Sequence, residues 1–163
     1  MGLIPVQKRE RERSIMLKTM TAYFTAVREQ VLFQKEMSET FIICPDQQLS
    51  ELATRLAGGR PMQVIYVDHG VCPMVSNVGL IVIPRRDKER FNRRQIEAVI
   101  HHEVYHFVSG VYKGEAIEME CDGFAAAAGY ARELAEVLEV FMDSCPLGLK
   151  LNRRRVALLK SAL

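Results

Sequence analysis

The segment NRRQIEAVIHHEVYHFVSG, residues 92–110, constrains the fold of this chain more than any other. Asn92 is a good N-cap, Gly110 a helix stop, and Ile96, Val99 and Ile100 form an apolar face at helical spacing. The stretch therefore reads as one helix, and it carries three of the chain's four histidines. Either their polar groups are satisfied on an ordinary helix face, or they belong to a metal site.

His102 and His106 are four residues apart, one turn above each other, so two imidazoles can reach a single Zn²⁺ at about 2.0–2.1 Å. Glu103 lies about 100° round the helix from His102, beside such a metal rather than on it. That is where a general base must sit to take a proton from an activated water. A catalytic zinc also needs a third protein ligand and an open position.

The segment EAIEMECDGFAAAAGYARELAEVLEVFMD supplies candidates and reads as a helix of about 28 residues, ended by Pro146 and Gly148. Glu118 and Asp122 share one face of it by i, i+4 spacing. The preceding turn, residues 110–114, is short, so the two helices are expected to be antiparallel neighbours. Glu118 then lies opposite His106 and is the expected third ligand. Asp122, level with His102, is expected to accept the outer N–H of a ligating histidine. Gly123 and the small residues 125–128 allow close approach. Glu115 is the rival ligand, and Glu120 points about 200° away.

The remaining polar residues get plainer readings. His101 is expected to be structural and His69, in VDHG, a turn residue. Arg153, Arg154 and Arg155 read mostly as a solvated face, with one of them, or Tyr112, a candidate to steady an oxyanion. Glu103 and His106 also have the spacing of di-iron bundle ligands, but no second E-x-x-H exists in the chain.

Around this core the chain has 163 residues, 48% of them apolar, which suits a single folded domain. A net charge of +2 implies neither a nucleic-acid nor a membrane partner. The N-terminus lacks an apolar run after its charges, and no apolar stretch approaches the roughly 20 residues of a membrane span. A soluble, cytoplasmic protein is expected. Four scattered cysteines without a C-x-x-C pair read as reduced thiols with no ligand role.

The organisation reads as a helical segment over about 8–60, then a core over about 61–163. Residues 8–40 are expected to form one helix. DQQLSELATRLAGG forms a second, with Asp46 as N-cap and Gly58-Gly59 as stop. PMQVIYVDHG and NVGLIVIPRR read as two strands, a hairpin being one pairing, with residues 78–83 a candidate edge for an extended peptide. A basic helix over 151–162 closes the chain. The order gives an α+β fold, mainly helical, with a small sheet before the motif helix.

HHEVYH followed by EMECDGFAAAAG resembles the gluzincin metallopeptidases, whose motif is H-E-x-x-H then E-x-x-x-D. The chain is most similar to soluble minimal relatives of the heat-shock and prenyl-protein endopeptidases, over roughly residues 64–160, including NVGLIVIP before the motif and the arginine-containing LNRRRVALL after it. The resemblance implies a zincin-like domain and a zinc endopeptidase acting on a peptide or protein substrate. His102, His106 and Glu118 would be the ligands and Glu103 the base. Tyr105 departs from the family's usual glycine, so helix packing there is expected to differ. Alternatives are a non-catalytic or self-inhibited zinc-binding regulatory module, and a metallopeptidase of the phage-immunity type that cuts a repressor.

Overall fold

Residues 44–68, 70, 72–144 and 149–163 are described by the structure, a computed structural model. The helix expected over 8–40, His69, Cys145 and the Pro146/Gly148 stop lie outside the described residues.

Asp46 ends a two-residue strand, β1 (Cys44–Pro45), and opens helix α1 (Gln47–Leu56) by accepting a hydrogen bond from the Leu49 N–H at 2.9 Å. The helix closes where expected: the N–H of Gly59 donates to Thr54 O and that of Gly58 to Arg55 O, a Schellman turn. The Ser50 hydroxyl joins α1 to the sheet by accepting from the Val64 N–H at 2.9 Å.

The two main strands, β2 (Gln63–Val67) and β4 (Leu80–Pro84), run parallel, with Val64 opposite Ile81 and Tyr66 opposite Ile83. They are not a hairpin. The antiparallel partner of β4 is the short β3 (Met74–Val75), and the sheet order is β1-β2-β4-β3. Residues 78–83 are therefore no edge: β4 is interior and β3 is the edge strand. The cause is the tight turn after β3. There the Ser76 N–H donates to Leu80 O at 2.9 Å, and the Ser76 hydroxyl accepts from the Leu80 N–H at 3.1 Å. Gly79 sits at φ 80, where a Cβ would lie 2.7 Å from Pro61 O. With β3 closed onto one edge of β4, β2 takes the other.

A short helix, α2 (Arg85–Arg90), leads to the central α3 (Arg93–Ser109). Asn92 and Gln95 form a reciprocal capping box at its start, and Gly110 in the left-handed conformation ends it, as the sequence predicts. The expected 28-residue helix is instead two, α4 (Glu115–Ala127) and α5 (Ala131–Ser144). Gly129, at φ 85, breaks it: the Tyr130 N–H donates to Ala125 O at 3.1 Å and the Gly129 N–H to Ala126 O at 2.9 Å. Helix α6 (Leu149–Ser161) follows and packs on α4 and α5.

Helix α3 is buried on most sides because two cores meet on it. Ile96, Val99, Ile100 and Val104 pack with the sheet and with Leu49 and Ala53 of α1. Ala98 faces a second cluster that includes Ala125, Leu134, Leu138, Val156 and Leu159. The architecture is α+β with a small mixed sheet preceding the motif helix. Among the described residues no helix is long and apolar enough to cross a membrane.

Candidate metal centre

Helices α3 and α4 run antiparallel, and the register follows from two pairings, His106 with Glu118 and His102 with Asp122, with Ala98 and Ala125 in one apolar cluster beyond them. Alanines at the deep end let the backbones approach, so the polar side chains at the open end converge. His102 Nε2 lies 3.3 Å from one oxygen of Glu118 and His106 Nε2 lies 3.4 Å from the other.

The outer nitrogens fix how the imidazoles are presented. His106 Nδ1 is 2.8 Å from Val111 O, a carbonyl that only accepts, so this nitrogen carries the proton. His102 Nδ1 is 2.9 Å from Asp122 Oδ1 and donates to it. Both Nε2 atoms are left facing the Glu118 carboxylate, the orientation a metal-ligating histidine needs.

Behind the carboxylates lies Arg155 of α6, buried at 7% exposure. Its Nε and Nη2 donate to the two oxygens of Asp122 at 2.7 and 2.8 Å, and its Nη1 is 3.0 Å from Glu118 Oε2. Burial alone would raise the Asp122 carboxyl, but Arg155 and His102 hold it below the usual carboxylate range. Glu118 is likewise opposed by burial and pulled far below that range by the two histidines and Arg155. Burial also works against charge on His102, yet Asp122 and Glu118 outweigh it and raise its pKa to about 9. Glu103 has the opposite balance: burial pushes its carboxyl up against the pull of His102 and His106.

The rivals fall elsewhere. Glu115 is 53% exposed in its side chain and pairs with Arg154 at 2.6 Å on the surface, and Glu120 accepts from the Tyr105 hydroxyl at 3.3 Å. Tyr105 is accommodated by packing beside Phe124, ring centroids 5.3 Å apart, so the bulk lies along the α3–α4 seam. His101 stacks near Tyr130 at 4.5 Å, with Nδ1 2.8 Å from Glu97 O, and burial lowers its pKa. Tyr112 lies flat beside His106, 6.5 Å between ring centres.

Two residues take places at the centre that the sequence did not assign them, although Arg155 is one of the three arginines that it offers as candidates. Arg155 is no solvated cation, and its engaged donors make it a brace for the carboxylates rather than an oxyanion donor. Its signal was position: Leu151 and Leu159 lie one turn to either side, on a stripe that buries Arg155 and Leu159. The other is Cys121, fully buried one turn from Glu118. His102, His106 and Cys121 form a buried group, donor atoms all within 4.8 Å of one another, that could hold a metal ion. Burial, reinforced by Glu118, Glu103 and Asp122 over the opposing charge of His102, pushes the Cys121 thiol up to about 12. No sequence spacing pointed to it.

A cavity of about 610 Å³ opens over this centre and is lined by His102, Glu103, His106, Glu118 and Arg155. Compared with known protein families, with curated proteins and with solved structures, the chain matches none of them.

Proposed function

We propose that the chain is a zinc-dependent peptidase in which His102, His106 and Glu118 hold Zn²⁺ and Glu103 is the general base. One observation carries this reading: the Glu118 carboxylate stands 3.3 and 3.4 Å from the two Nε2 atoms. Ligands bonded to a tetrahedral zinc at roughly 2.0–2.1 Å lie about 3.3–3.4 Å from one another. Each histidine–carboxylate separation, one to either oxygen of Glu118, matches an edge of such a tetrahedron, and both imidazoles turn Nε2 toward the same carboxylate.

Zinc, when bound, supplies Lewis acidity toward a carbonyl oxygen and makes water a competent nucleophile near neutral pH. The protein does the rest. Glu103, its carboxyl raised by burial, takes the proton of the attacking water and returns it to the leaving amine. Asp122 holds His102 in the tautomer that leaves Nε2 free, and Arg155 fixes both carboxylates. Met74 and Val75 of β3 line the cavity, so an extended peptide adding to that edge would pass over the centre.

A second reading, a buried metal site without turnover, is favoured by Cys121, whose thiol offers an alternative third donor. Metal content and proteolysis of purified variants separate the two. Glu103→Gln should keep one zinc per chain and lose casein hydrolysis by about 10²-fold or more. Glu118→Gln should lower zinc affinity while Cys121→Ser leaves it unchanged. Casein cleavage by Glu103→Gln at the wild-type rate would sink the mechanism. Zinc loss in Cys121→Ser alone would favour the second reading.

A further inference from the structure

A peptide carbonyl that adds water gathers negative charge on its oxygen, and a site that hydrolyses it holds hydrogen-bond donors there in advance. Most donors around this centre are already engaged. The protonated imidazole nitrogens of His102 and His106 face Asp122 and the Val111 carbonyl. Arg155 is held by Asp122 and Glu118, and Arg86 and Arg90 of α2 act on Asp87, whose carboxyl they pull down against burial. Two neutral side chains with an O–H or N–H line the cavity, Tyr112 and Asn152.

Asn152 is the one whose polar group is held in place. It is half-buried near the start of α6, within reach from the cavity, and shares a helix face with Arg155 by i, i+3 spacing. Arg155 Nη1 lies 3.4 Å from the Asn152 side-chain oxygen and 3.0 Å from Glu118 Oε2. Arginine only donates, so the amide must turn its oxygen toward Arg155 and its NH₂ away from it. Neither N–H of that NH₂ has a partner among the described residues. One guanidinium nitrogen therefore ties a neutral donor to the carboxylate that stands opposite the two histidines. The Tyr112 ring lies flat beside His106, but no described residue holds its hydroxyl.

The side of approach also suits Asn152. Contacts run from Asn152 through Arg155 and Glu118 to the histidines of α3, so Glu103 of α3 and the amide of α6 reach the centre from different helices. A base must stand by the attacking water and an oxyanion donor by the carbonyl oxygen, and these two atoms lie on different sides of the carbon.

We propose that Asn152 is a catalytic residue, its Nδ2 donating to the substrate carbonyl oxygen as that oxygen becomes negative. In that step a C–O bond forms from water to the carbonyl carbon, the C=O π pair moves onto the oxygen, and the water's proton passes to Glu103. The pair then returns, the C–N bond breaks, and the leaving amine takes the proton from Glu103. The role rests on the peptidase reading, and two variants separate a donor from a support for Arg155. Asn152→Asp keeps an oxygen for Arg155 and removes both N–H donors, whereas Asn152→Ala removes oxygen and donors together. Casein hydrolysis and calorimetric binding of a phosphinic dipeptide, whose tetrahedral P–O⁻ imitates the oxyanion, are measured on the zinc-loaded full chain. Both variants should keep their zinc, lose about 10²-fold or more in kcat with little change in KM, and bind the phosphinate about tenfold or more weakly. Wild-type kcat in Asn152→Asp, or zinc loss from Asn152→Ala, would overturn the proposal, as would a kcat loss confined to Tyr112→Phe. If the wild type cuts no casein but both Asn152 variants weaken phosphinate binding, the donor stands and the peptidase reading falls. If casein is cut and neither variant differs from the wild type, the reverse holds; no cleavage and phosphinate binding indifferent to Asn152 defeats both.

Discussion

The imidazole of His102 is placed where a proton and the proposed metal ion would compete for the same lone pair. In the metal-free protein its pKa is raised from 6.5 to about 9 by Asp122 and Glu118 against the cost of burial, and that of His106 is raised by Glu118. The folded chain therefore holds these protons more tightly than the unfolded chain does. Their stabilisation is complete below about pH 6.5 and is lost as pH climbs toward 9. Denaturation midpoints of the metal-free protein should fall across that window, and His102→Gln should flatten the fall. Added zinc should act in the opposite sense, its stabilisation growing with pH because the proton must leave first. A wild-type midpoint constant from pH 6.5 to 9 would show that His102 is not held charged. The residues of this centre were legible because they obey local rules: His102/His106 and Glu118/Asp122 are i, i+4 pairs on helices with recognisable ends. Arg155 and Cys121 were not, because their placement depends on how α6 and α4 rotate against α3. A charged residue on a buried stripe marks a missing partner without naming it.

At the scale of elements, helix ends were readable wherever a cap or glycine acts through its own backbone. Asp46, Asn92 and Gly110 do so. Gly129 obeys the same chemistry, but alanines before it and a strongly helical segment after it mask the break. Strand pairing was the harder problem. The runs VIYV and LIVIP are apolar at successive positions rather than alternating, the pattern of strands covered on both faces in a parallel pair. Register and partner, however, depended on a turn only four residues long. Gly79 is its hinge, and no other residue fits: the φ is 80 and a Cβ would meet Pro61 O at 2.7 Å. Gly79→Ala should cost about 1–3 kcal/mol in chemical denaturation. Because Met74 and Val75 of β3 line the cavity, the proposed peptidase reading expects the variant also to raise KM for peptides. Unchanged stability would mean that the turn relaxes freely and does not set the sheet order.

For the molecule as a whole, the candidate centre lies where the two cores meet, and its most remote contributor in sequence is Arg155. Helix α6 carries little beyond Val156 and Leu159 into the second core, so its guanidinium is a principal tie to α4. The tie is electrostatic and buried: the guanidinium engages Asp122 and Glu118 at 2.7 to 3.0 Å, beside His102, which faces the same two carboxylates. Such a cluster adds modestly to stability when complete, but removing one member leaves uncompensated charge in a dry interior. Arg155→Met should therefore cost about 3–5 kcal/mol in the metal-free protein, far more than its lost packing. Arg155→Lys should recover only part of this, because a point charge cannot engage both oxygens of Asp122 and Glu118 together. Saturating zinc should restore stability to Arg155→Met more than to the wild type, since a bound dication supplies the positive charge that Glu118 has lost. Denaturation of the three proteins with and without zinc measures this directly. An equal zinc increment in all three would mean that Arg155 and the metal do not share Glu118, and that α6 is joined to the centre by packing alone.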